Sequence, residues 1–172
     1  MQSLKIFAIM GIGFFISRLD AQNRVNVPIL KDSVPKVLPY TQLESFLTTQ
    51  SDSVYVVNFW ATWCGPCVAE LPYFEEVNKM YAARKVKVIL VSLDFKSEVK
   101  TRLIPFLKKK KLKSEVVFLG EAHSNSWMPK VDEHWSGDIP ATLFFNREKR
   151  VFVSHSFKSF RELDAAIEPF LK

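Results

Sequence analysis

The sequence predicts one α/β domain, built on a mixed β-sheet with helices on its faces. Strand-like apolar runs and amphipathic helix-like segments alternate along most of the 172 residues, and strands separated by helices pair in parallel. Near the C-terminus two strand-like runs follow each other across a short polar turn, which predicts an antiparallel hairpin. The chain is 48% hydrophobic and 24% charged, a composition that suits a packed core and excludes an intrinsically disordered chain.

The first 21 residues have the layout of a secretory signal peptide. A short, positively charged start precedes an uncharged apolar stretch at 6–16, and Ala21 is a small residue suited to cleavage. We expect residues 1–21 to be removed when the protein is secreted across the inner membrane, so that the mature protein is periplasmic. An uncleaved N-terminal membrane anchor is the alternative, although Arg18 and Asp20 end the run short of the roughly 20 apolar residues that span a bilayer.

The next elements follow from proline content, a capping pattern and periodicity. Residues 22–39 hold three prolines and no helical period, so we expect an extended lead-in before a domain over 40–172. The pattern Thr41-Gln-Leu-Glu44 is a capping box, which predicts a short helix over 41–49. Residues 54–59 are β-branched and aromatic, which predicts a buried strand.

The middle of the chain shows both periodicities clearly. From 66 to 81 apolar residues recur at steps of three and four, with charged residues between them, which predicts an amphipathic helix. Residues 86–93 are nearly all apolar, as a central parallel strand requires. The remaining predicted elements are a helix over 98–112 with Pro105 as a candidate kink, a strand at 116–119, a loop at 120–139, strands at 141–145 and 151–156, and a last helix capped by Ser159-Phe-Arg-Glu162.

The segment Trp63-Cys64-Gly65-Pro66-Cys67 joins the strand at 54–59 to the helix that follows. Cys64 lies at the predicted helix N-terminus, where unpaired backbone N–H groups and the helix dipole favour a thiolate. Cys67 is one turn further along, within reach of a disulfide with Cys64. Pro66 suits the first helical turn, and Gly65 permits another chain to approach closely.

This cysteine pair predicts a two-step exchange with a substrate disulfide. The Cys64 thiolate attacks and forms a mixed disulfide. Cys67 then attacks that bond, releases the reduced substrate and leaves a Cys64–Cys67 disulfide. We expect this redox-active disulfide to be the reacting group, with no bound cofactor. Without a reductant the same site can run in reverse as an oxidant.

The run Val57-Asn-Phe-Trp-Ala-Thr-Trp-Cys-Gly-Pro-Cys67 resembles the thioredoxin superfamily. Glu70-Leu-Pro72 resembles more narrowly its secreted branch, the TlpA/ResA-like thiol–disulfide oxidoreductases. The resemblance covers about residues 35–171. It implies a thioredoxin fold with an additional helix and strand near 97–119, and protein thiols and disulfides as partners.

The resemblance also implies roles for single residues. Cys64 matches the family nucleophile and Cys67 the resolving cysteine. Pro140 matches the cis-proline beside the disulfide, which would turn the backbone of Ile139 outward to pair with a substrate strand. Pro72 matches the proline that bends the active-site helix. We expect the substrate to contact Trp63, Gly65, Pro66, Ile139 and Pro140.

Two further positions concern proton transfer. Asn58 stands where thioredoxin itself usually has a buried aspartate, so that base is missing. Glu70 lies three residues beyond Cys67 on the same helical face and matches a glutamate of the TlpA/ResA-like branch. We expect Glu70 to relay protons for Cys67, with a pKa raised by partial burial. The alternative is an ordinary solvated surface glutamate.

Three functions remain open. The first is an extracytoplasmic reductase of protein disulfides, supplied with electrons by a membrane-embedded donor. The second is an oxidase or isomerase that uses the same cysteines. The third is a binding module of the same fold whose disulfide is only structural.

Other residues give weaker indications. Structural zinc usually needs four ligands, and His123, His134 and His155 show no paired spacing, so no metal is expected. The net charge of +6 is a modest excess for 172 residues, and no nucleic-acid-binding motif is present. The lysines at 108–111 fit the solvated C-terminal end of a helix. Trp127, Met128 and Trp135, in the loop before Pro140, either line a substrate groove or pack beneath that loop.

Overall fold

The computed structural model describes residues 35–120 and 127–171, and its six strands form one sheet in the order β1-β4-β3-β2-β5-β6. The strands are Lys36–Leu38 (β1), Val54–Trp60 (β2), Val86–Ser92 (β3), Glu115–Leu119 (β4), Ala141–Phe145 (β5) and Arg150–Val153 (β6). The α-helices are Tyr40–Leu47 (α1), Gly65–Met80 (α2), Ile104–Lys110 (α3), Met128–Val131 (α4) and Phe160–Ile167 (α5).

The sheet is mixed, as the sequence predicts. β1, β4, β3 and β2 run parallel to one another, whereas β5 is antiparallel to β2 and β6 is antiparallel to β5. The β5–β6 pair is the predicted C-terminal hairpin. In its polar turn, the side-chain oxygen of Asn146 accepts hydrogen bonds from the backbone N–H groups of Glu148 and Lys149, which stabilises the reversal of the chain.

Alternation along β2 builds a core on each face of the sheet. Val57 and Phe59 lie in the cluster covered by α1 and α4, whereas Val56 and Trp60 lie in the cluster covered by α2, α3 and α5. All seven residues of β2 are buried, so a polar side chain in this strand must find its partners inside the protein. Asn58 is that side chain, and its position in the alternation directs it towards α2.

The edge strand β1 lies in the stretch that the sequence analysis assigned to the extended lead-in. It has three residues, and its parallel pairing with β4 places Val37 beside Phe118. A strand this short carries no periodicity of its own. Its partner lies far along the chain, so long-range pairing alone defines it.

The two capping boxes have different outcomes. Ser159 caps α5, since its side chain accepts a hydrogen bond from the backbone N–H of Glu162. The capping box predicted at Thr41 is wrong, because α1 begins one residue earlier, at Tyr40, with Pro39 as the N-cap. The backbone N–H groups of the third and fourth helical residues donate to the Pro39 carbonyl, so the first turn forms without a side-chain cap.

The helix predicted over 98–112 is less regular than the sequence suggests. A 3₁₀ turn at Lys96–Glu98 leads into a π-helical stretch at Val99–Leu103, and only then does α3 begin. Pro105 lies in the first turn of α3, where its missing N–H removes a hydrogen bond to the preceding turn. The wider π turn lies where that bond is lost. This helical run and β4 occupy the interval predicted to hold the additional helix and strand.

The predicted signal peptide and most of the lead-in lie outside the described residues. Among residues 35–120 and 127–171, no helix has the length and apolar character needed to cross a bilayer.

Candidate active site

Cys64 lies where β2 gives way to α2. A four-residue turn, closed by a hydrogen bond of 3.2 Å from the Cys64 N–H to the Ala61 carbonyl, leads the chain into the helix. Cys64 is the N-cap of α2, and its sulfur accepts from the Cys67 N–H at 3.3 Å. A group at this position receives the field of the unpaired N–H groups at the helix start, which favours a negatively charged sulfur.

The two cysteines form a disulfide, with their Cα atoms 5.3 Å apart. The two residues differ in access. Cys64 retains 6% of its surface, whereas Cys67 is fully buried. A substrate can therefore reach only Cys64, which agrees with the nucleophilic and resolving roles that the resemblance implies.

The loop before β5 brings a second backbone segment to the disulfide. The Ile139 carbonyl oxygen lies 3.7 Å from the Cys64 sulfur, and the Ile139–Pro140 peptide bond is cis. Pro140 is buried and Ile139 is half-buried. These residues meet Cys64 because β5 starts at the edge of the sheet where β2 ends.

One glycine and one tryptophan shape this loop. The indole N–H of Trp135 donates to the Asp138 carbonyl at 2.9 Å. Gly137 has φ +95°, and a Cβ there would lie 3.0 Å from the Met128 sulfur, so a side chain at this position would strain the backbone and displace Met128. The backbone that leads to Ile139 and the cis bond is therefore held by the Trp135 hydrogen bond and by the conformation of Gly137.

Aromatic packing lies beneath the same loop. Trp127 is 1% exposed, and its ring packs against the rings of Phe59 and Trp135, which is also buried. Both tryptophans are therefore core residues, and the interpretation that they line a substrate groove is wrong.

Glu70 lies on α2 one turn beyond Cys67 and is 1% exposed. Its Oε1 accepts from the Asn58 side-chain amide at 2.9 Å, and its Oε2 accepts from the Phe157 backbone N–H at 2.8 Å. The alternative of a solvated surface glutamate is wrong. The Thr142 hydroxyl, opposite Asn58 in the β2–β5 pair, accepts a second bond from the same amide nitrogen.

The environment of Glu70 shifts its titration into the neutral range. Burial raises the pKa of the Glu70 carboxyl to about 7, although the hydrogen bonds from Phe157 and Asn58 and the charge of Lys158 act to lower it. The oxygen of the Asn58 amide is buried and has no hydrogen-bond partner among the described residues. The amide therefore presents its donor to Glu70 and leaves its own acceptor unpaired.

The exposed rim of the site consists of three residues that the sequence analysis predicted and one that it missed. Gly65 and Pro66 are exposed at the start of α2, and Trp63 is 44% exposed. Phe95, which follows β3, is equally exposed and stacks on Trp63 with ring centroids 6.0 Å apart. Nothing in the local sequence around Phe95 connects it to the cysteines, since the contact depends on the β2–β3 pairing.

Two other contacts were not found from the sequence. The Phe157 N–H that bonds Glu70 is a backbone group of an irregular segment, and it carries no residue-type signal. The buried carboxylate of Asp94 accepts hydrogen bonds from Thr62 in the active-site turn. A signal for Asp94 was present, because it is an acidic residue directly after a buried parallel strand, at the end of the sheet where sites form.

The remaining predicted features lie outside the reacting centre. Pro72 lies within α2 and is exposed. The lysines of the basic run are exposed at the end of α3, where Lys111 adopts a left-handed conformation with φ 54° as the C-cap. Within the described part of the chain, no three His, Cys, Asp or Glu side chains cluster as metal ligands would.

Comparison with known proteins identifies the family. The Redoxin family profile matches residues 30–151. A Bacillus cereus protein named thiol-disulfide oxidoreductase ResA is 37% identical over 95 residues, which is 55% of this chain and 50% of that protein. The chain spans about half, or less, of the length of the curated relatives it matches.

Solved structures show the same fold. A thiol:disulfide interchange protein of the thioredoxin family from Chlorobium tepidum aligns with a TM-score of 0.58 at 19% identity, covering 75% of this chain and 85% of that one. A secreted Mycobacterium tuberculosis disulfide oxidoreductase, homologous to E. coli DsbE, aligns with a TM-score of 0.54 at 20% identity, covering 69% and 83%. The chain therefore belongs to the Redoxin family and is a TlpA/ResA-like member of the thioredoxin superfamily, which confirms the resemblance and the fold class.

The raised pKa of Glu70 predicts a distinctive dependence of stability on pH. The carboxyl binds its proton more tightly in the folded state, so oxidised protein should lose about 3 kcal/mol of unfolding free energy as pH rises from about 4.5 to 8. Glu70→Gln cannot titrate and should lack this component. Urea unfolding of both proteins across this range measures it. An equal slope in the two proteins would show that Glu70 titrates normally.

Proposed function

We propose that this protein is a thiol–disulfide oxidoreductase that reduces disulfides of other proteins outside the cytoplasm. The observation that carries the proposal is the placement of the Cys64–Cys67 disulfide, with Cys64 as the N-cap of α2 and Cys67 buried beneath it. The name of the Bacillus cereus relative, a thiol-disulfide oxidoreductase, supports the same activity. The signal-peptide layout of residues 1–21 supports the location.

The reaction begins with the reduced dithiol. The Cys64 thiolate attacks one sulfur of the substrate disulfide, so that a Cys64–substrate bond forms and the other substrate sulfur leaves as a thiolate. Trp63 and Pro66 are exposed beside Cys64 in the chain, and the Ile139 carbonyl oxygen lies 3.7 Å from the Cys64 sulfur. The substrate is therefore a chain that can lie across this rim with its disulfide over Cys64.

Resolution requires a thiolate at a buried position. Cys67 must lose its proton before it can attack Cys64, and no solvent reaches it directly. Glu70 lies one turn away on the same helical face, with a pKa of about 7, so its carboxylate can accept that proton at neutral pH. Attack by Cys67 then releases the second substrate thiolate and leaves the protein disulfide. Two electrons have passed to the substrate.

Each turnover leaves the protein oxidised, so a reductase needs a supply of two electrons. Outside the cytoplasm we assign this supply to a membrane-embedded dithiol donor, which would reduce the Cys64–Cys67 disulfide by the same exchange in reverse order. The protein holds no other cysteine to store electrons, since these two are the only ones in the chain.

Single-cysteine variants test the assignment of the two roles. Reduced wild-type protein should release two thionitrobenzoate ions from the aromatic disulfide DTNB, the first on attack by Cys64 and the second on attack by Cys67. Cys67→Ser should release one and remain as a mixed disulfide visible by mass spectrometry. Cys64→Ser should react far more slowly, because its remaining thiol is buried. Rapid reaction of Cys64→Ser, or retention of insulin reduction by it, would contradict the mechanism.

The reduction potential tests the direction of electron flow. Equilibration of the protein with dithiothreitol or glutathione should give a value near that of thioredoxin, about −270 mV, rather than that of the strong oxidant DsbA, about −120 mV. The expectation rests on the Gly65-Pro66 dipeptide shared with thioredoxin. A value near −120 mV would reverse the assignment and make the protein a donor of disulfides, as in the oxidase alternative.

The pH dependence of the second DTNB step tests proton transfer through Glu70. Glu70→Gln should slow this step about 100-fold at neutral pH and remove its inflection near pH 7. Glu76, an exposed residue of the same helix, provides a matched control, and Glu76→Gln should behave like the wild type. An inflection near pH 7 that persists in Glu70→Gln would exclude the relay.

A further inference from the structure

The geometry points to Asp94 as a positioning residue for the nucleophile. We propose that its buried carboxylate, bound to Thr62, fixes the turn that presents Cys64 to the substrate. This inference deepens the proposed function and rests on it. In this role Asp94 acts through the backbone that carries the cysteines.

Asp94 is fully buried and lies just beyond the end of β3. Both of its carboxylate oxygens are 3.2 Å from the Thr62 backbone nitrogen, and Oδ1 also accepts from the Thr62 hydroxyl. Oδ2 accepts from the Ser92 hydroxyl at 2.8 Å. Among the described residues no cation forms an ion pair with Asp94, so neutral donors alone satisfy this carboxylate.

The donors from Thr62 belong to the active-site turn. The Cys64 N–H bonds to the Ala61 carbonyl, so Thr62 and Trp63 are the two central residues of that turn. Just before it, the Leu93 N–H donates to the Trp60 carbonyl at 2.7 Å and ties the two strand ends together. Beyond the sheet, the hydrogen bonds between Asp94 and Thr62 connect the same two segments, and Thr62 is the second residue before Cys64.

Residue type explains why a carboxylate occupies this position. A carboxylate only accepts, so it can satisfy the N–H and the hydroxyl of Thr62 while its second oxygen serves Ser92. An amide in its place has only one acceptor oxygen, so it would lose an acceptor at either Thr62 or Ser92. Burial of a charge without a cationic partner is costly. The buried carboxylate is nevertheless useful here, because it holds the turn that carries Cys64. Small displacements of a nucleophile lower reaction rates strongly.

The test measures the first DTNB step, attack by Cys64, together with thermal stability. Thr62→Val removes the hydroxyl donor from the turn, and Ser92→Ala removes the other hydroxyl donor from the same carboxylate without touching the turn. Thr62→Ser keeps the hydroxyl. Cys64 attack is measured above the pKa of its thiol, where the thiolate population no longer differs between variants, and again with insulin as a protein disulfide.

We expect Thr62→Val to slow Cys64 attack about tenfold. Thr62→Ser and Ser92→Ala should stay within about twofold of the wild type, even where Ser92→Ala lowers the melting temperature as much as Thr62→Val does. Asp94→Asn should slow Cys64 attack at least as much as Thr62→Val does. If Asp94→Asn does not fold, the comparison of Thr62→Val with Ser92→Ala still decides the outcome.

Equal rates for Thr62→Val and Ser92→Ala would overturn the inference and reduce the contact to a structural one. Failure of the proposed function has a different signature, because the wild-type dithiol itself would then not reduce insulin. The two failures are therefore distinguishable in one set of measurements.

Discussion

The site depends on the position of β2 between a parallel and an antiparallel neighbour. Because β3 is parallel to β2, both strands end at the same edge of the sheet, and the residues after them lie side by side. Because β5 runs against β2, its first residue starts at that same edge. Three separate stretches of chain therefore meet there: the turn before Cys64, the residues after β3, and the loop that ends at Pro140. Reversal of either neighbour would move one of the three to the opposite edge.

The same strand supplies the polar group that holds Glu70. A fully buried central strand normally excludes polar side chains, since their hydrogen bonds cannot be made with water. Asn58 is accommodated because α2 and β5 offer it partners on the same face. In return its amide anchors the carboxyl of Glu70 one helical turn from the buried Cys67. The proposed role of Glu70 would set stability against chemistry, because the ionised form that accepts a proton is also the form that burial disfavours.

The sequence predicted most of the sheet, its hairpin, the long helix α2 and the cysteine pair, because these follow from periodicity and from a short contiguous motif. Helical spacing placed Glu70 correctly on the cysteine face of α2. The strand β1 was not predicted, since it is defined only by pairing with β4, and neither was the start of α1, where a proline carbonyl replaced the expected threonine cap. The partners of Glu70 and Thr62 were also missed. Phe157 contributes a backbone group, which carries no residue-type signal. Asp94 is 32 residues from Thr62, and only its position after a buried parallel strand could have indicated it.

The unequal burial of the two cysteines has a consequence for timing. Once a substrate is joined to Cys64, the free Cys67 thiol lies one helical turn from that bond, and its burial keeps disulfides in the solution from reacting with it first. The lifetime of the covalent complex is then governed by an intramolecular encounter between two side chains one helical turn apart, at a fixed effective concentration. Release of the partner through Cys67 therefore needs no second molecule from the solution.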